Sequence, residues 1–322
     1  MCSNVSIVDV VGVGQNALDT IIELPRFPVF NSEVEFLSAR SLPGGQVATA
    51  VIACQSWGLK TRYIGKIGDD AAGQLHRSEL DRSGVESHLI VIPNCMSQSA
   101  YILVHRPTGE RTILYNRDDR LGLLPEDLRR DWIAASRLLH VDGHNAAAAA
   151  LAARWARDSG AVVTADLDHI YPGIEELLHL VDYPVSSRSF PITWTGESDL
   201  LRALQIVRAR YGNRLVCATL GSDGALAWDG SRFWYSTAFR VNVADATGAG
   251  DVFHAAFAYG LLHNWPMDRL LDFSCAAAGL NCTMLGARGG IKPIEEIEGL
   301  RQDGARLPAA FSQAELAQAG ET

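Results

Sequence analysis

Strand-like apolar runs and helix-like segments alternate through most of this 322-residue chain, and that rhythm restricts the fold more than any other feature. Strands joined through helices lie parallel, and the helices then cover both faces of the sheet. Strand runs read at 5–13, 62–67, 138–141, 162–166, 181–185 and 215–220. Helical segments read at 47–57, 71–83, 146–158, 198–211, 249–263 and 267–285, with Gly84, Gly160 and Gly212 as stop signals. The expected fold class is α/β, with a mostly parallel central sheet and helices on both faces.

Two stretches break the rhythm. Residues 20–42, with Pro25, Pro28 and the following Pro43, hold short β-like pieces. Residues 99–114 hold two alternating apolar runs joined by Arg106-Pro107-Thr108-Gly109-Glu110, a hairpin turn by composition. Both read as a small β lid, over about 16–43 and 97–118, inserted into a core domain of residues 1–301. The Ala/Gln-rich tail, 302–322, reads as a loose helix or as disordered chain. Open sheet edges are often covered by a partner chain, so the lid is the expected face of a homodimer.

Composition excludes several classes of partner. Lys plus Arg number 28 against 37 Asp plus Glu, a net charge of -9, which argues against nucleic acid as a ligand. No apolar run approaches the roughly 18 residues of a membrane span, and the N-terminus lacks a basic region with a cleavage site. The expected location is the cytoplasm. None of the six cysteines forms a C-x-x-C pair, so they read as reduced, buried thiols.

The strongest chemical signal is Ala244-Asp245-Ala246-Thr247-Gly248-Ala249-Gly250-Asp251-Val252-Phe253, a polar glycine-rich turn running into an apolar helix. Such a helix start offers unpaired N–H groups and the positive end of the helix dipole. Gly248 and Gly250 let an oxygen-rich group approach the backbone, which suits a transferring phosphoryl group. Asp251 projects into the same place. A carboxylate beside an anion hole repels the anion, unless it is there to take a proton from the attacking hydroxyl. The plainer reading is an N-cap made by Thr247 or Asp245.

On these residues the chain resembles the ribokinase, or PfkB, family of carbohydrate kinases. A second signature agrees: Gly44-Gly45, a small-residue helix through Gly58, then Ile64-Gly65-Lys66-Ile67-Gly68-Asp69-Asp70-Ala71-Ala72-Gly73. The resemblance runs from Val10 to about Ile297. It implies ATP-dependent phosphorylation of a sugar or sugar-acid hydroxyl, with magnesium and a monovalent cation such as potassium as cofactors. Asp251 would be the base, with Gly248, Ala249 and Gly250 as the anion hole. Asp19 would hold substrate hydroxyls, and Gly44, Gly45 and Thr49 would shape that pocket. Thr219, Gly221, Ser222 and Gly224 would contact the nucleotide, with Thr247 nearby. Gly286, in the Gly286-Ala287-Arg288-Gly289-Gly290 loop, would lie near the adenine and the monovalent cation.

The chain also departs from the family pattern. Ser187 and Phe190 stand where many members carry the Asn and Glu of an Asn-x-x-Glu motif that organises magnesium-bound water, so the metal ligands stay unassigned. Ala17 and Thr49 replace asparagines of the ribose pocket, which turns the expectation from ribose towards the sulfofructose kinase and ketohexokinase side of the family. Arg106, Arg111, Arg117 and Arg120 crowd the lid hairpin. They form either a solvated face paired with Glu110, Asp118 and Asp119, or an anchor for an anionic substrate group, with Arg111 as the candidate.

Other motifs carry less. Gly12-Val13-Gly14-Gln15-Asn16-Ala17 fits a dinucleotide fingerprint, but the required helix is replaced by a proline-interrupted, β-rich stretch. His140 and His144 flank Asp142 at a strand end, where a four-residue spacing does not converge on one ion. They read as structural or pocket-lining. Asp166 and Asp168 end a core strand and read either as near magnesium or substrate, or as solvated. A nucleoside kinase of the same fold and a non-catalytic sugar-binding regulator are the alternative functions.

Overall fold

A computed structural model describes residues 6–108 and 110–321. Val5 of the first expected strand, Cys2, Gly109 of the hairpin turn and Thr322 lie outside the described residues. The first half runs β1 (Val8–Val13), β2 (Ala17–Leu24), β3 (Ser38–Gly44), α1 (Gln46–Ser56), β4 (Thr61–Gly68), α2 (Ala71–Arg82), β5 (Glu86–Ile92), β6 (Ser99–His105), β7 (Arg111–Asn116), α3 (Arg130–Ala134), β8 (Ser136–Asp142) and α4 (Ala146–Asp158). The second runs β9 (Val162–Leu167), α5 (Ile174–Leu178), β10 (Tyr183–Ser187), α6 (Ser189–Thr195), α7 (Leu200–Tyr211), β11 (Val216–Thr219), β12 (Ala225–Trp228), β13 (Phe233–Ser236), α8 (Ala249–Leu262), α9 (Met267–Asn281), α10 (Ile294–Asp303) and α11 (Gln313–Gly320).

Nine strands form the main sheet in the order β13-β12-β11-β10-β9-β8-β1-β4-β5. The pairings from β11 to β5 are parallel, and β12 and β13 extend the edge antiparallel. Successive residues of β1 face opposite layers. Val10 belongs to the core layer of α1, α8 and α9, with Ala50, Ala53 and Phe257, whereas Val11 belongs to the layer of α4 and α7, with Ala149, Ala153 and Leu204. Both faces are therefore dry, which is why these strands read as continuous apolar runs rather than alternating ones. Alanines in α1 and α8 let the two helices approach closely, with Ala50 and Ala53 in the same cluster as Ala255 and Ala258.

The lid is a separate four-stranded sheet, β3-β2-β6-β7. Its first strand leaves directly from the end of β1, so it stands over the carboxyl ends of β1, β8 and β9. Ligands of open α/β sheets bind in that crevice, where strand order reverses around β1. β2 following β1, in place of a helix, also removes the dinucleotide reading. β7 is exposed along its whole length, an edge strand with both faces towards solvent.

One alternative is decided and one expectation corrected. The tail holds a helix, one of its two readings: Ser312 caps α11 with Glu315, Leu316 is buried and Phe311 packs edge-on against Tyr235. Its weak pattern reflects a short helix that buries little. α9 ends at Asn281 rather than near residue 285, because the fully buried Asn281 side chain turns to serve the following loop. Its amide donates to the Thr247 and Ala287 carbonyls, and its oxygen accepts from the Gly290 N–H. The five described cysteines are free thiols, and four of them are buried.

Candidate active site

Asp251 is the third residue of α8, after the N-cap Gly248. Gly248 has φ 75°, a left-handed conformation, and a Cβ there would strike the Ala287 backbone. Gly250 differs, because a Cβ on it would meet nothing. Asp245 ties this turn together. Its Oδ1 accepts from the Thr247 N–H and hydroxyl, and its Oδ2 accepts from the Gly286 N–H, 2.9 Å away. The capping role weighed for Asp245 and Thr247 is thus internal to the turn, and Asp251 is left free of it.

Burial pushes the Asp251 carboxyl up to about 7, and the nearby negative charges of Asp166 and Asp19 push the same way, against His254 and Arg288. Asp19, on β2, is 8% exposed, and burial raises it to about 6, with Arg288 opposing and Asp245 adding. Asp166, whose charge acts on Asp251, lies 3.2 Å from His254 Nε2. Neither reading given to Asp166 foresaw this buried pair. His140 lies tilted beside it, 5.5 Å from the His254 ring, and bonds the Thr164 hydroxyl, as a structural histidine would.

A cavity of about 330 Å³ opens on the other side of the α8 start. Thr219, Gly221, Ser222 and Gly224 line it together with Ala249 and Gly250 of α8. Phe253, Val243 and Leu307 give it an apolar side suited to a flat base. Thr247 and Gly286 are not part of this lining. Gly286 instead backs onto Leu42 of the lid and bonds Asp245.

The sugar-side residues gather around Asp19. A Cβ at Gly44 would strike the Asp19 carboxylate, so only glycine fits there. Gly45 has φ 94° and caps α1 against Asn16. Thr49 is fully buried, and its hydroxyl accepts from Arg288 Nε at 3.0 Å. Thr49 therefore acts on the pocket through Arg288. The lid arginines separate. Arg111 is exposed on β7 and its charge acts on Cys282, beside the nucleotide cavity. Arg120 pairs with Asp118 at 2.7 Å. Arg117 points inward: its Nη2 donates to Asn145 Oδ1 at 2.8 Å, and it lines a small polar hollow with Gln15, Asn16 and Gln98. His144 and Tyr171 share a 2.8 Å hydrogen bond at the same end, within reach of the Arg117 charge. Asp142 accepts from the Gln15 and His144 N–H groups and so pins the start of the lid.

Sequence reading missed Asn145, His254 and above all Arg288. The one signal available for Arg288 was its position as the single charged residue in a loop of small ones, 286–290.

The model for the pfkB family carbohydrate kinases matches residues 9–294. The chain belongs to this family. It is a carbohydrate kinase with a ribokinase-like fold. It is 26% identical over 280 residues to the 5-dehydro-2-deoxygluconokinase of Geobacillus thermodenitrificans, covering 79% of this chain and 82% of the relative. It is 26% identical over 285 residues to the ATP-dependent ribose-1-phosphate kinase of Halopiger xanaduensis, covering 87% and 94%. The Arabidopsis thaliana ribokinase complexed with ribose and ATP shares the fold at a TM-score of 0.80 and 21% identity, covering 92% of this chain and 99% of that one.

Proposed function

We propose that this carbohydrate kinase passes the γ-phosphoryl group of ATP to a hydroxyl of a sugar acid, with Asp251 taking the hydroxyl proton. The observation that carries the reading is the position of Asp251 in the first turn of α8, between Asp19 and the cavity that Gly250 lines. Substrate hydroxyls held by Asp19 would meet the terminal phosphate at the Gly248–Gly250 amides, and the carboxylate between them receives the proton. The bond formed is sugar oxygen to γ-phosphorus, the bond broken is γ-phosphorus to the bridging oxygen, and ADP leaves.

The acid preference rests on Arg117, an inward cation whose side-chain partner among the described residues is the neutral Asn145. A sugar carboxylate would complete a charge-assisted pair there. The Geobacillus relative, named for a gluconate-type substrate, agrees with this class. Among the described residues no group of three His, Cys, Asp or Glu can hold a metal, and Ser187 and Phe190 offer no carboxylate. In this reading the magnesium ion arrives on the ATP phosphates with its waters. A potassium-type ion would lie between the Asp245 turn and the Gly286 loop. Among the described residues no helix is long and apolar enough to cross a membrane, and we place the enzyme in the cytoplasm. Tyr101 and Leu114, paired across β6 and β7 and exposed, support a homodimer through the lid.

The test is ADP release over 2-keto-3-deoxygluconate, sulfofructose, fructose, ribose and adenosine. An acidic sugar should be best, and Arg117→Ala should raise its KM by about tenfold or more while sparing neutral sugars. Adenosine as the best substrate would sink the sugar reading. Fructose as best, with Arg111→Ala and Arg117→Ala both silent, would sink only the acidic one.

A further inference from the structure

Arg288 sits where three parts of the site meet. Its side chain is 9% exposed, and each guanidinium nitrogen has a different partner. Nη1 pairs with Glu79 of α2, Nε donates to Thr49 Oγ1 of α1 at 3.0 Å, and Nη2 donates to the Gly44 carbonyl at 2.7 Å. Gly44 ends the lid strand β3 and abuts the Asp19 carboxylate. Ala287, next to Arg288 in the chain, is the residue against which Gly248 packs at the start of the base's helix. One residue thus has its backbone against the anion hole and its side chain on the lid hinge.

We propose that Arg288 is a positioning residue for phosphoryl transfer, locking the Gly44–Gly45 turn that carries the lid and serving as the shared cation of Asp19 and Asp251. The inference rests on the assignment of those two carboxylates above. A buried Arg–Glu pair by itself adds little stability over an apolar pair of similar size. What an apolar pair cannot supply is the donor to Gly44 and the positive charge facing both acids. The charged and titratable groups around Arg288 are Glu79 and His76 from α2, Tyr63 from β4, Asp19 from β2 and Asp251 from α8. Asp251 also faces Asp166 and His254, and Asp19 also faces Asp245. Arg288 holds both carboxyls lower than their burial alone would.

The single change to Met would strand Glu79, so the test uses Arg288→Met with Glu79→Met together, and Arg288→Lys separately. The double variant should melt close to wild type yet lose about 100-fold in kcat/KM for the sugar, mostly through KM. Its ATP KM should change by less than about threefold, and the acid limb of its pH profile should move upward. Arg288→Lys, which keeps the cation but not the fork, should leave the acid limb in place and raise the sugar KM by about tenfold. A double variant with near-wild-type turnover and an unmoved acid limb would make Arg288 merely the partner of Glu79. If the double variant does not fold, Arg288→Lys with an unchanged sugar KM overturns the proposal. A wild type that phosphorylates no sugar would instead overturn the functional reading.

Discussion

As the proposed base, Asp251 would carry the chemistry as a single residue, and its environment makes two measurable statements. The base must be ionised, so kcat/KM should rise with pH through about 7, the value to which burial and Asp166 push this carboxyl. The same shift acts on stability with a definite sign. A carboxyl raised from 3.8 to about 7 on folding binds its proton more tightly in the native state. The stability it contributes is complete below about pH 4 and is lost as pH rises through 7. Asp251→Asn removes that loss. The variant should lose about 10² to 10⁴-fold in turnover and melt higher than wild type at pH 8, by up to about 4 kcal/mol, the cost of moving the carboxyl from 3.8 to about 7. The advantage should shrink towards pH 5. A variant that melts lower at pH 8, or keeps its turnover, contradicts the assignment. At this scale the sequence was informative where the fold needs a special backbone, as at Gly248 and Gly45. It gave no role to Arg288 and left Asp166 open between a site residue and a solvated one, because their meaning comes from partners more than 80 residues away.

The start of α8 shows how one element divides its glycines between folding and chemistry. Gly248 needs its left-handed φ and the space filled by Ala287, whereas Gly250 is an ordinary helical position facing the open cavity. Gly248→Ala should therefore destabilise the fold, by about 2 kcal/mol or more from the backbone conformation and the clash together. Gly250→Val should melt within a few degrees of wild type and lose about 100-fold or more in turnover, because its methyls occupy the phosphoryl place. Calorimetry and ADP release on the two variants check the division; a Gly250→Val enzyme that works would displace the anion hole. Helix positions were legible for a related reason. Stop signals such as Gly212, φ 69°, and caps such as Asp199, whose carboxylate accepts from the Leu201 N–H, act within a few residues. The end of α9 was not legible, because Asn281 answers to Thr247, Ala287 and Gly290 rather than to its own helix.

For the whole molecule, parallel sheet and lid were readable from alternation and its interruption, but the role of the tail was not. Arg306 bridges to Phe239, lies with its guanidinium 3.7 Å from that ring and donates to Asp272 at 2.7 Å. These contacts fix the next residue, Leu307, whose N–H donates to the Ala238 carbonyl and which lines the cavity proposed for the nucleotide. Gln205 of α7 donates to the Ala319 carbonyl, and Leu316 is buried over the same edge of the sheet. A polar, weakly patterned segment is thus recruited by a surface that the rest of the chain has already built, and no local signal announces it. Leu307→Ser should raise the ATP KM several-fold by taking apolar surface from the base's cavity wall, and should leave the sugar KM alone, since the sugar side lies across Asp251. Arg306→Ala should do the same with a lower melting temperature, because it also frees Asp272 and the tail. Measuring both KM values for both variants decides the point. A sugar KM that moves with the ATP KM would mean that the tail braces the whole crevice, and an unmoved ATP KM would mean that Leu307 lies outside the nucleotide's footprint.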